Sequence, residues 1–116
     1  MEESTLVPLL PAVRGLIVPT RSIQKSIARD VVVARKNKSA TIALLAPALS
    51  QRVTEYEVRL MDASGEIVDH KSSDVTPKQL KVFQLRAQLP GRYQIIVVAT
   101  AKDKPVTWRG PRVALR

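Results

Sequence analysis

Cysteine is absent from the sequence, which excludes disulfide stapling, thiol catalysis and zinc or iron–sulfur sites built on Cys ligands. Histidine occurs once, as His70, so a metal site made from several imidazoles of this chain is excluded too. The four glycines, Gly15, Gly65, Gly91 and Gly110, lie far apart. No phosphate-cradling loop and no dinucleotide fingerprint can be assembled from them, and no cofactor is expected. Aromatic side chains are limited to Tyr56, Phe83, Tyr93 and Trp108. A core must therefore be built from Val, Leu, Ile and Ala. No apolar run approaches the roughly 20 residues of a membrane span. The apolar start follows Glu2 and Glu3 rather than a basic region, so no export signal is read there. The compartment stays open between the cytoplasm and the periplasmic face of a membrane complex.

What the sequence has is β-type alternation. With 116 residues it suits one domain with one core. The clearest segment is Thr54 to Met61. Tyr56, Val58 and Leu60 fall on one face there, and Glu55, Glu57 and Arg59 on the other. Period two with this polarity predicts a strand with one buried and one wet face. Asp62-Ala63-Ser64-Gly65 reads as a turn, and residues 66–69 as the returning strand of a hairpin. Further strands are expected at 31–34, 41–46 and 80–89, the last with Phe83, Leu85, Ala87 and Leu89 on its buried face. After Pro90-Gly91, residues 93–99 form the strongest strand, apolar on nearly both faces beyond Gln94. Its second face, at Ile96 and Val98, is expected to be covered by an arm of this chain or by a partner. Another short strand is expected around Trp108, with Gly110-Pro111 breaking it and Val113, Ala114 and Leu115 adding one short final pairing. Residues 71–78 read as a polar connection.

Residues 1–29 read as a Pro-rich arm or linker with a candidate edge strand, and residues 30–116 as the domain. Pro8, Pro11 and Pro19 oppose a continuous helix, yet Leu6, Leu9, Leu10, Leu16 and Ile17 are too apolar for a solvated tail. Residues 21–30 are ambiguous. Ile23 and Ile27 sit four apart, as on one helical face, but the stretch is too short for a free-standing helix. The fold class predicted from this pattern is all-β: an immunoglobulin-like antiparallel sandwich of about seven strands with an extended apolar N-terminal arm. A small barrel satisfies the same periodicity.

Three segments carry a family resemblance: Ala40 to Leu45, Tyr56 to Val68, and Leu89-Pro90-Gly91-Arg92-Tyr93-Gln94-Ile95-Ile96-Val97. Over roughly residues 30–101 the sequence resembles a bacterial immunoglobulin-like domain, the extracytoplasmic region of anti-sigma-factor-like membrane proteins. The resemblance implies a sandwich, with Tyr93 opening the penultimate strand and packing at its base. Membrane-type members carry a zinc-binding sigma-factor-binding segment and a membrane helix. This sequence contains neither, so the resemblance implies the fold and not sigma-factor control.

Candidate chemistry is sparse. His70 has Ser72, Ser73 and Asp74 nearby in sequence, but sequence neighbours do not of themselves converge on a nucleophile and its base. Glu55 and Glu57 share a face, where a wet sheet also places its ordinary charges. The expected role is a non-catalytic structural or protein-interaction module, an accessory subunit of a larger assembly. Its candidate partner interface comprises Leu6, Leu9, Leu10, Leu16, Ile17, Ile96, Val98, Trp108 and Arg109.

The alternative rests on charge. The net charge is +9, and the excess lies in two segments. Residues 21–38 carry six basic side chains against Asp30, and residues 102–116 carry five against Asp103. Arg21, Lys25, Arg35, Lys36 and Arg112 are candidate contacts to nucleic acid or another anionic surface. Their clustering on one side of the fold, together with Arg109, would favour that role. Scattering would oppose it.

Overall fold

The computed structural model describes residues 20–45, 53–75, 79–102 and 104–116. Among the described residues a helix, α1 (Thr20–Asp30), is followed by seven strands: β1 (Val31–Lys36), β2 (Ser39–Leu45), β3 (Val53–Met61), β4 (Ile67–Asp74), β5 (Leu80–Arg86), β6 (Gly91–Ala101) and β7 (Lys104–Leu115). All pairings are antiparallel, in a three-stranded sheet ordered β1-β2-β5 and a four-stranded sheet ordered β4-β3-β6-β7. Among the described residues the chain is thus an all-β sandwich with one helix on it.

The alternation read in the sequence decides which atoms meet between the sheets. Ala40, Ile42 and Leu44 of β2 and Phe83 and Leu85 of β5 face Tyr56, Val58 and Leu60 of β3 and Ile95, Val97 and Ala99 of β6, all buried in one core. Tyr93 opens β6, is buried, and donates its hydroxyl to the Leu89 carbonyl. Ile23 and Ile27, each 1 % exposed, belong to the same core. Residues 20–29, grouped with the arm in the sequence reading, thus form a helix seated on the sandwich. Packing stabilises this short helix where intrinsic propensity would not. Its last turn carries Arg29, favourable against the helix dipole, and Arg29 also pairs with Asp30 at 3.1 Å. Burial pushes the Tyr56 hydroxyl up to about 12, and the negative charge of Asp30 adds to the shift.

Several boundaries differ from the sequence expectation. β4 runs on to Asp74 through residues expected as a loop. It is an edge strand, exposed along most of its length, so it needs no apolar face. β1 continues to Lys36, because the reversal takes only Asn37 and Lys38; Asn37 has φ 54°, a left-handed value that Asn tolerates better than most residues. Phe83, Leu85 and Ala87 are buried as expected, but Leu89 is 72 % exposed, because β5 ends at Arg86 and the chain is already turning toward Pro90.

The largest difference is at Gly110-Pro111, which does not break the last strand. β7 continues through it by a bulge: Gln94 pairs with Arg112 and Ile96 with Arg109, so the intervening Gly110 and Pro111 oppose Ile95 alone. The extra residue resets the alternation. Val106 and Trp108 face the core before the bulge, and Val113 and Leu115 face it after, leaving Arg112 on the outside. Gln94 Nε2 donates to the Gly110 carbonyl across the kink at 3.2 Å.

Candidate functional site

The two basic segments, remote in sequence, are adjacent in the fold. α1 lies along β7, where Gln24 Nε2 donates to the Thr107 carbonyl at 2.8 Å. β1 meets β7 further along: Arg35 Nη1 donates to the Ala114 carbonyl at 3.1 Å, and the Arg116 amide donates to the Asn37 carbonyl at 2.9 Å. The first strand, the last strand and the helix therefore form one side of the sandwich. Among the described residues it carries Arg21, Lys25 and Arg29 on α1, Arg35, Lys36 and Lys38 on β1 and its turn, and Lys104, Arg109, Arg112 and Arg116 on or just beyond β7, against Asp30. Asp30 is already paired with Arg29. The candidate anion contacts Arg21, Lys25, Arg35, Lys36 and Arg112, and with them Arg109, are brought together here, and all six are exposed.

Acidic side chains lie toward the opposite edge of the four-stranded sheet, on β3, β4 and the turn between them: Glu55, Glu57, Glu66, Asp69 and Asp74, while Asp62 of that turn shares a depression with Arg92 and Arg112. Several are engaged locally. Glu57 pairs with Arg59 at 2.8 Å and with His70 Nδ1 at 3.5 Å. Asp69 accepts from the Arg86 amide at 2.8 Å, linking the two sheets. Asp62 Oδ1 accepts from the Ser64 hydroxyl and the Ser64 and Glu66 amides, which holds its carboxyl below the usual range.

The candidate protein-interface residues separate. Leu6, Leu9, Leu10, Leu16 and Ile17 lie outside the described residues. Ile96 and Val98 occupy the outer face of β6, 5 % and 8 % exposed, between Arg59 and Arg109 and between Glu57 and Thr107 across the register. Trp108 is half-buried and packs against the core. Arg109 is exposed on β7. An apolar row that the sequence reading did not single out is exposed instead on the outer face of the three-stranded sheet. Val32 and Val82 flank Ala43 there, 64 % and 61 % exposed. The continuous run Val31-Val32-Val33 conceals which of its residues point outward.

His70 lies on β4 opposite Arg59, with Ser72 and Asp74 on the same exposed face opposite Glu57 and Glu55. Among the described residues no group of three or more His, Cys, Asp or Glu side chains can hold a metal ion, and no helix is long and apolar enough to cross a membrane. Compared with known proteins, the chain matches no family model and no curated protein.

Proposed function

We propose that this chain is a non-catalytic interaction module, an accessory subunit of a larger assembly, which meets an acidic partner protein with the side formed by α1, β1 and β7. The observation that carries the reading is the convergence of both basic segments on that side, with most of the acidic residues toward the other edge. Such a polarised domain is steered toward, and oriented on, a negatively charged surface. A non-catalytic role is supported by the setting of the one imidazole, on an open sheet face beside Arg59 and Glu57. The Tyr93 hydroxyl bonded four residues upstream, just before the penultimate strand, is a feature of immunoglobulin-like sandwiches. It supports the immunoglobulin-like reading. The fourth strand, however, pairs with β3 and not with the first sheet, as in fibronectin-like relatives of the fold.

The same basic side favours nucleic acid as a second reading. Against it, Tyr56, Phe83 and Tyr93 are buried and Trp108 is turned to the core, so the described residues offer no aromatic platform for stacking unpaired bases. The test is binding of the full chain to polyglutamate and to duplex DNA over a salt series. Arg109→Glu combined with Arg112→Glu should abolish polyglutamate binding, and Lys71→Glu on β4 should leave it intact. Equal loss in both variants, or no binding by the unaltered chain, overturns the proposal. Tighter, steeply salt-dependent binding to DNA selects the second reading.

A further inference from the structure

Within the basic side, one residue has arginines on every flank. Ala114 sits on the outer face of β7 directly across from Arg92 of β6, a separation of about 5 Å between Cα atoms. Arg112 lies two residues before it on the same face, about 7 Å along the strand, and Arg116 two residues after. Arg35 reaches in from β1 to the Ala114 carbonyl. The small methyl group of Ala114 leaves the floor between them low. Two surface depressions are lined by these arginines. One, of about 310 Å³, is lined by Arg92 and Arg112 together with the Asp62–Gly65 turn. The other, of about 280 Å³, is lined by Arg35, Asn37, Ala114 and Arg116.

Among the described residues, none of these four guanidiniums has a carboxylate partner within ion-pair distance. The carboxylate in the lining, Asp62, already accepts three hydrogen bonds from its own turn. Four like charges crowded around an alanine repel one another. The bulge at Gly110-Pro111 is what turns Arg112 outward into the group.

We propose that the outer face around Ala114 is a receptor site for a phosphomonoester dianion. The inference rests on the basic side being the binding surface. A guanidinium fork matches phosphoryl oxygens in bidentate geometry. A dianion offsets more of a four-charge cluster than a carboxylate or a phosphodiester, each of which brings one negative charge. The same chemistry arises from a small phosphorylated compound or from a phosphorylated side chain of the partner protein.

The test is a titration of the ¹⁵N-labelled full chain at fixed ionic strength, following the amides of Ala114 and Arg92. The probes are inorganic phosphate, N-acetyl-phosphoserine amide, dimethyl phosphate and acetate. Saturable shifts are expected with the first two. Binding should be weaker by about tenfold with the singly charged pair, and should weaken below a pH of about 6, where the monoester loses its second charge. Arg92→Gln and Arg112→Gln should each reduce affinity for phosphate, and Lys71→Gln should not. Tighter binding of the phosphoserine amide than of inorganic phosphate assigns the source to a partner side chain, and the reverse to a small molecule. Absence of saturable shifts, or equal binding of acetate, overturns the site. If polyglutamate still binds in that case, the failure belongs to this inference alone. If polyglutamate fails too, the basic side itself is not a binding surface.

Discussion

Replacing Gly110 by Ala tests whether the bulge in β7 is fixed by packing. A methyl group built at Gly110 would lie 2.6 Å from Trp108 Cζ3, 2.8 Å from Trp108 Cη2 and 3.0 Å from the Ile95 carbonyl oxygen. Carbon atoms in good contact sit at about 3.5–4.0 Å. The indole must therefore move by nearly an ångström, but it is packed against the core, and the Ile95 carbonyl belongs to the centre of the sheet. Overpacking of this kind costs about 1–3 kcal/mol. Restricting the unfolded chain by Gly→Ala contributes about 0.4–1 kcal/mol in the opposite direction. The steric effect wins, leaving a net loss of about 1–2 kcal/mol. For a domain of this size that lowers Tm by about 5–10 °C. Thermal and urea unfolding followed by far-ultraviolet circular dichroism would measure it. Trp108→Leu in the Gly110→Ala background should recover part of the loss, a coupling that a double-mutant cycle isolates. A Gly110→Ala protein as stable as the parent would refute the argument, since it would mean that the indole is not held where the bulge places it.

Ile27→Ala should cost about 2–4 kcal/mol, as for other buried isoleucines, read as a lower urea midpoint; an effect below about 0.5 kcal/mol would mean that α1 is not seated on the core. Tyr56 should ionise near pH 12, against its ordinary 10.0, in an absorbance titration at alkaline pH. Its folded value is raised, so its contribution to stability is complete below about pH 10 and is lost as the pH rises through the folded value; Tyr56→Phe should remove that part of the alkaline loss. Asp62→Asn should destabilise the β3–β4 turn at neutral pH. The folded value of Asp62 is depressed, so the difference between variant and parent should be present above about pH 4 and shrink as acid protonates the parent carboxyl; a difference that persists unchanged at pH 2 would count against the hydrogen-bonded turn.

Much of the sandwich is legible because β3 and β5 alternate between buried and more exposed positions, and because β6 is apolar on nearly both faces. Tyr56, Val58 and Leu60, with Phe83 and Leu85, are core residues in both the pattern and the structure. What alternation cannot convey is counterbalanced by longer-range contacts. α1 is a weak helix by length, and it becomes readable only when Ile23 and Ile27 have a sandwich to enter. β4 is too polar to announce itself, since pairing with β3 and not burial holds it in place. Gly110-Pro111 looks like a stop signal because those residues seldom occur inside strands; the same rule makes them a bulge signal when apolar residues on both sides of them must face the same core. The basic side was legible as charge but not as a site. Residues 21–38 and 102–116 become neighbours only through the pairing order that places β1 and β7 at adjacent edges.

A positively charged edge has a plainer use. Edge strands in a sandwich invite pairing with another chain, and lysine or arginine placed along them discourages it. β4, the other edge of the same sheet, supplies the comparison. Its exposed positions include His70, Lys71 and Asp74, with charges of both signs that protect the edge without building a field. β7 is also less in need of protection, because Gln24 and Arg35 already occupy two of its carbonyls. Protection therefore accounts for charged residues on β7, but not for the basic excess there and on α1 and β1 as well. At about 7 Å in water two like charges repel by about 0.6 kcal/mol before screening, a cost that mixed charges would avoid. A one-signed edge that is stabilised when Arg112 is neutralised, yet loses its ligand with the same change, is the arrangement expected where binding and not folding has set the charge.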